Sequence, residues 1–178
     1  MADLNNPFIL GIDPANENSA YCLVSPDLKP IEFDKLPNEE MLERCLNILE
    51  NMPEATPIVV AIEGIENFGM PAGKTLFETA EFIGYCTRAF KGKADVKKIY
   101  RHEEKMTLCH STRANDSTIK QALIDRFAPN TPNHGKGTKK APGFFYGMKA
   151  DCWSAFAICC TYHDKCCYDG LHLEDLPF

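Results

Sequence analysis

Residues 8–13, Phe-Ile-Leu-Gly-Ile-Asp, form an apolar run closed by an acid. The same shape returns in residues 58–63, Ile-Val-Val-Ala-Ile-Glu. Short, nearly continuous apolar runs suit strands covered on both faces. The pattern therefore predicts strands at these two places, with shorter ones at 20–24 and 31–33 whose tight spacing after the first predicts an antiparallel meander. Met41, Leu42, Cys45, Leu46 and Leu49 recur at helical spacing. Asn38 is placed to cap that helix, with Glu39 and Glu40 favourable in its first turn. A second helix is expected from about Lys74 to Phe90, a strand over 96–101, and a helix from Asp116 or Ser117 that aligns Ile119, Leu123 and Phe127. Pro129, Pro132 and Pro142 then interrupt regular structure. A last, unusually apolar helix is expected over about 150–163. Elements in this order predict an α/β layered fold with a mixed sheet.

Composition narrows the class. The chain has 178 residues, 44% hydrophobic and 25% charged, which is the size and balance of one globular domain, 1–178. No apolar run approaches the roughly 20 residues that span a bilayer, and the first residues carry no signal-peptide pattern. A cytoplasmic protein without a membrane partner is expected. In that compartment the nine cysteines should be thiols, and Cys22, Cys45, Cys86 and Cys109, each single among apolar neighbours, should lie in the core. Cys159 or Cys160 with His163 and Cys167 could share a helical face and bind zinc. Their spacing fits no common zinc module, so structural cysteines are expected.

The net charge is −6, yet residues 128–150 hold no acid and contain Lys136, Lys139, Lys140 and Lys149. A local basic stretch can meet phosphates on an acidic protein. Phe144-Phe145-Tyr146 within it either stacks on bases or anchors the loop. The stretch from Gly69 to Thr75 is similar to a phosphate-binding P-loop but has three residues between its glycines instead of four, so no nucleotide cofactor is expected. Phe68 beside it is either a core residue or available to stack on an unpaired base.

The candidate chemistry lies in acids. Asp13 ends the first strand and Glu63 the fourth, at the strand ends where open α/β sheets bind ligands. If these strands are parallel neighbours, their ends lie about 4.8 Å apart. The two carboxylates could then share a divalent cation, and Mg²⁺ suits hard oxygen ligands. Asp151 opens the last helix. It is either a first-turn acid favoured by the helix dipole or, because so apolar a helix must pack on the sheet, an acid presented to the same metal.

Three motifs stand in order: Gly11-Ile12-Asp13-Pro14, Ala61-Ile62-Glu63, and Asp151-Cys152-Trp153-Ser154-Ala155-Phe156-Ala157. In type and spacing they resemble the RuvC-type Holliday junction resolvases, over nearly the whole chain. The resemblance implies a ribonuclease H-like fold with a mixed five-stranded sheet flanked by helices, and a homodimer touching through the helix from about Lys74 to Phe90. It also implies two Mg²⁺ or Mn²⁺ ions and paired nicks across a four-way, or otherwise branched, DNA. Asp13 would bridge the ions, and Glu63 and Asp151 would each hold one.

The chain departs from the family twice. The family's fourth acid is here Ser154, three residues after Asp151 on the same helical face, placed to hold a water rather than a metal. A family basic residue is here Asp116; Lys120 or Arg113 could replace it. Lys105, in Glu104-Lys105-Met106-Thr107, does match a family lysine. Expected DNA contacts are thus Phe68, Lys105, Lys136, Lys139, Lys140 and Lys149. A competing reading is a non-catalytic nucleic-acid-binding module on the same fold. Half of an actin-like or sugar-kinase ATPase also begins with Gly-Ile-Asp, but needs a chain about twice as long.

Overall fold

In β1 (Phe8–Asp13) and β4 (Ile58–Gly64), alternate residues enter different cores. Ile9, Val59 and Ala61 belong to one; Leu10, Ile12, Val60 and Ile62 belong to the other. This is the period of two expected of a strand buried on both faces. The computed structural model describes residues 6–66, 69 and 71–168. Its sheet has the order β3-β2-β1-β4-β5, with β2 at Asn18–Val24, β3 at Pro30–Pro37 and β5 at Asp95–Tyr100. The first three strands are antiparallel neighbours, while β4 and β5 run parallel to β1. Two helices, α1 (Asn38–Asn51) and α2 (Lys74–Phe90), cover one face. The other carries α3 (Arg101–Cys109), α4 (Asp116–Phe127) and α5 (Ala150–Tyr168).

Gly11 decides how close α5 can come. A Cβ there would lie 2.3 Å from the Ala155 carbonyl oxygen and 2.5 Å from Cys159 Sγ. The helix therefore rides directly on β1, and Cys159 Sγ donates to the Cys22 carbonyl at 3.4 Å. Since Ala155 sits over Gly11 and Cys159 further back toward Ile9, the turn before Ala155 lies over the C-terminal end of β1. Asp151 is on that turn.

Several expectations change. Asn38 does not cap α1; the N-cap is Pro37. The Asn38 amide instead donates to the carbonyls of Ala15 (2.9 Å) and Asn16 (3.1 Å) and accepts from Ser19 Oγ (2.7 Å), tying down the turn after Asp13. β3 is longer than 31–33, because an edge strand with charged, half-exposed residues gives little apolar signal. The strand expected through Arg101 stops at Tyr100, and α3 begins there, the Tyr100 N–H donating to Glu103 Oε2 at 2.7 Å. Cys109 is half-buried rather than in the core.

Phe144 and Phe145 are anchors. Phe144 stacks on Phe127 with centroids 5.0 Å apart, and Phe145 lies 4.4 Å from Trp153; Tyr146 is the exposed one. Cys159 and Cys160 are fully buried free thiols, as structural cysteines should be. Phe68 lies outside the described residues. No helix among the described residues is long and apolar enough to cross a membrane.

Candidate functional site

The parallel register pairs Gly11 with Ala61 and Ile12 with Ile62, so Asp13 and Glu63 follow side by side. Strand alternation puts both on the α5 face. The Asp13 and Glu63 carboxyl groups lie within hydrogen-bonding reach of each other, an interaction that favours the proton on Asp13. Burial, then the Glu63 charge and hydrogen bond, then the Asp151 charge push Asp13 up to about 8. Burial and the Glu104 charge raise Glu63 as well. Carboxylates confined together in a low-dielectric site cannot all ionise freely.

Asp151, at the start of α5, is near enough for its charge to act on Asp13, but its own partner is Lys35 of β3. Lys35 lies opposite Ala20 of β2, a residue of the core beneath α5. The ammonium thus comes from the same face of the sheet, and its bond to Asp151 raises the Lys35 pKa.

A fourth acid enters from α3. Glu104 is fully buried; Oε2 accepts from Arg101 Nη1 at 2.6 Å, and Oε1 has no hydrogen-bond partner. Burial pushes Glu104 up to about 7 although Arg101 pulls it down. Arg101 also pairs with Asp116 at the start of α4.

Arg101, Asp116, Lys120, Asp151 and Ser154 line a cleft of about 370 Å³, where Lys120 Nζ lies 4.9 Å over the Trp153 ring. The structure thus sets Asp13 beside Glu63, with Asp151 near enough for its charge to act on Asp13 and Ser154 on the adjoining wall. Lys105 is half-buried on α3 beside Glu104. Lys136, Lys139 and Lys140 are on the loop between α4 and α5, and Lys149 at its end pairs with Asp34 at 3.3 Å.

Glu104, Arg101 and Lys35 were not singled out from the sequence. Arg101 and Glu104 stand three apart just after a strand parallel to β4, and that spacing was the available signal. Lys35 gave none.

The donor set suits a hard divalent cation. It is all oxygen, partly accessible at Asp13, Glu63 and Asp151, and holds one orphaned buried carboxylate oxygen. Among the described residues no three histidine, cysteine or acidic side chains are grouped closely enough to hold a metal ion. Asp151 and Glu104 are instead turned to Lys35 and Arg101.

No family model matches the chain, and no curated protein matches it by sequence. Solved structures do match. Thermus thermophilus RuvC in complex with a Holliday junction substrate superposes with a TM-score of 0.66 over 92% of this chain and 96% of that one. The fold is that of RuvC. A second Thermus thermophilus RuvC structure matches over the same shares with a TM-score of 0.59. The identities are 17% and 16%, so the likeness to RuvC is one of architecture: a ribonuclease H-like mixed sheet of five strands flanked by helices.

Proposed function

We propose that this chain is a divalent-metal-dependent endonuclease that cuts four-way or other branched DNA. The observation that carries the reading is the side-by-side placement of Asp13 and Glu63 at one end of the sheet, with Asp151 close by on the edge of a cleft, on a RuvC fold. The junction bound to the RuvC structure supplies the substrate class.

Asp13, Glu63 and Asp151 would hold Mg²⁺ or Mn²⁺. Two such ions, when bound, activate a water and stabilise the leaving oxygen of a phosphodiester. The chain's own part is positional. β1 and β4 fix Asp13 and Glu63 in register, and α5, seated on Gly11, fixes Asp151. Lys120 lends positive charge to the cleft wall, where a phosphate backbone needs it. Ser154 is placed on that wall to hydrogen-bond a water or a phosphate oxygen. Lys105, Lys136, Lys139 and Lys140 add further phosphate contacts, and Lys149 does so in exchange for Asp34. Phe68 is retained as a base-stacking residue.

A four-way junction has two strands to nick, which suits two sites related by a two-fold axis. The reading therefore includes a homodimer through α2, whose Phe77 and Tyr85 are 64% and 65% exposed. A second reading, a non-catalytic junction-binding module, is favoured by the serine at 154 and by the Lys35–Asp151 pair.

One assay separates them: nicking of a synthetic four-way junction with Mg²⁺. The wild type should cut. Asp13→Asn, Glu63→Gln and Asp151→Asn should each lose cleavage by 100-fold or more, roughly what loss of an essential charge costs, while still binding junction in a mobility shift. Ser154→Ala should lose less than any of the three. Binding without cutting by the wild type would favour the module, and full cutting by Asp13→Asn would sink the site.

A further inference from the structure

Among the described residues three arginines meet carboxylates closely, and one pair is built unlike the others. Arg44 holds Glu32 through both oxygens, at 2.6 and 2.5 Å. Arg126 holds Asp164 through both, at 2.6 and 2.9 Å. Two-pronged contact is the normal geometry of a structural arginine–carboxylate pair, because the planar fork matches both oxygens. Arg101 takes only Oε2 of Glu104, at 2.6 Å, and directs its other nitrogen to Asp116. Oε1 of Glu104 is left buried and without a partner.

A buried carboxylate oxygen with no donor is costly, and folds rarely keep one without a use for it. Glu104 is also the only fully buried residue of α3, so the helix spends its one core position on an acid. Glu63 lies opposite Ile99 and Gly64 opposite Tyr100 in the sheet, and α3 begins at the next residue, so Glu104 enters at the same end of the sheet as Asp13 and Glu63, close enough for their charges to act on one another. Charge balance points the same way. Two divalent cations carry four positive charges; Asp13, Glu63 and Asp151 bring three negative ones, and position 154, a serine, brings none.

We infer that Glu104 is a ligand of the divalent-metal centre, its Oε1 supplying the fourth anionic contact. The inference rests on the metal-dependent reading above and adds to it a residue from α3, an element none of the three sequence motifs includes. Arg101 then acts as a positioning residue. It fixes the Glu104 side chain through Oε2 while Asp116 holds the guanidinium, leaving Oε1 for the metal.

The test measures Mn²⁺ binding to the DNA-free protein, by calorimetry and by Mn²⁺ electron paramagnetic resonance, together with the rise in Tm that Mn²⁺ causes. Glu104→Gln keeps size and shape and should weaken Mn²⁺ binding about tenfold or remove one ion, with a smaller Mn²⁺-induced rise in Tm. Glu104→Asp, which keeps the charge, should recover much of both. Glu104→Gln also leaves Arg101 with less negative charge beside it, which by itself would repel a cation. The Arg101→Gln/Glu104→Gln double variant removes that effect: continued weak binding supports ligation, whereas recovery to the wild-type affinity would reduce Glu104 to a neutraliser of Arg101 and overturn the proposal. A Glu104→Gln protein that is merely less stable, with an undiminished Mn²⁺-induced rise in Tm, would overturn it as well. Failure of the wild type to bind Mn²⁺ would remove the metal-dependent reading and this inference together. Junction cleavage by a wild type whose Mn²⁺ affinity Glu104→Gln leaves unchanged would remove this inference alone.

Discussion

Asp13 keeps a proton that the unfolded chain would give up. Its folded value, about 8, stands above the ordinary 3.8, so between these values the folded state binds more protons than the unfolded one. Stability from this group is fully present below about pH 4 and is lost as pH rises through about 8. Asp13→Asn carries no charge and escapes that loss. With EDTA present, the variant should melt above the wild type at pH 8, with a gap on the order of a few kcal/mol that closes toward pH 4. Thermal melts across this range check it, and a gap that does not change with pH would contradict it. The acids that could be read from sequence are those that end apolar elements, Asp13 and Glu63 closing strands and Asp151 opening a helix, where a charge breaks a pattern. Glu104 sits in Arg-His-Glu-Glu-Lys, where one more charge breaks nothing, and its helix packs against α5 from far along the chain. Lys35, likewise, is an ordinary edge-strand lysine until α5 arrives.

At the level of elements, β1, β4 and α2 were legible because each has a strong period and sharp ends. α3 was not. It is polar on most of its surface, follows β5 without a turn, and owes its start to the Glu103 side chain taking the Tyr100 N–H, a local bond that competes with continuing the strand. The contact between α5 and β1 is the one on which the site depends most. Gly11→Ala would put a methyl group against the Ala155 backbone, which cannot step aside as a side chain can. The expected cost is about 1–3 kcal/mol, as for other overpacked cores, and α5 should lift enough to carry Asp151 away from Asp13. Urea denaturation would read the first effect and Mg²⁺-dependent junction cleavage the second. Wild-type values in both would mean that α5 does not need the glycine.

For the whole molecule, the proposed function rests on two surfaces. One is α2, where Phe77 and Tyr85 stand two turns apart on the face away from the core. Changing both to Glu should give a monomer by light scattering at micromolar concentration. It should also convert paired nicks in a junction to single ones. A variant that stays dimeric would place the interface elsewhere. The other surface is the loop of residues 128–150. Lys136, Lys139 and Lys140 changed to Ala should weaken junction binding and flatten its dependence on salt by about three counterions; identical salt slopes would exclude the loop from the DNA.

That loop has few hydrogen-bonded strands or helices, yet it is pinned from within by the Phe127, Phe144, Phe145, Phe156 and Trp153 rings. Its conformational entropy is surrendered when the protein folds, not when a ligand such as the proposed DNA binds. The lysines are therefore presented on a preformed frame, and binding carries little further cost of ordering. Association should approach the rate set by diffusion and electrostatic steering, fall with ionic strength, and show no slow step for loop closure.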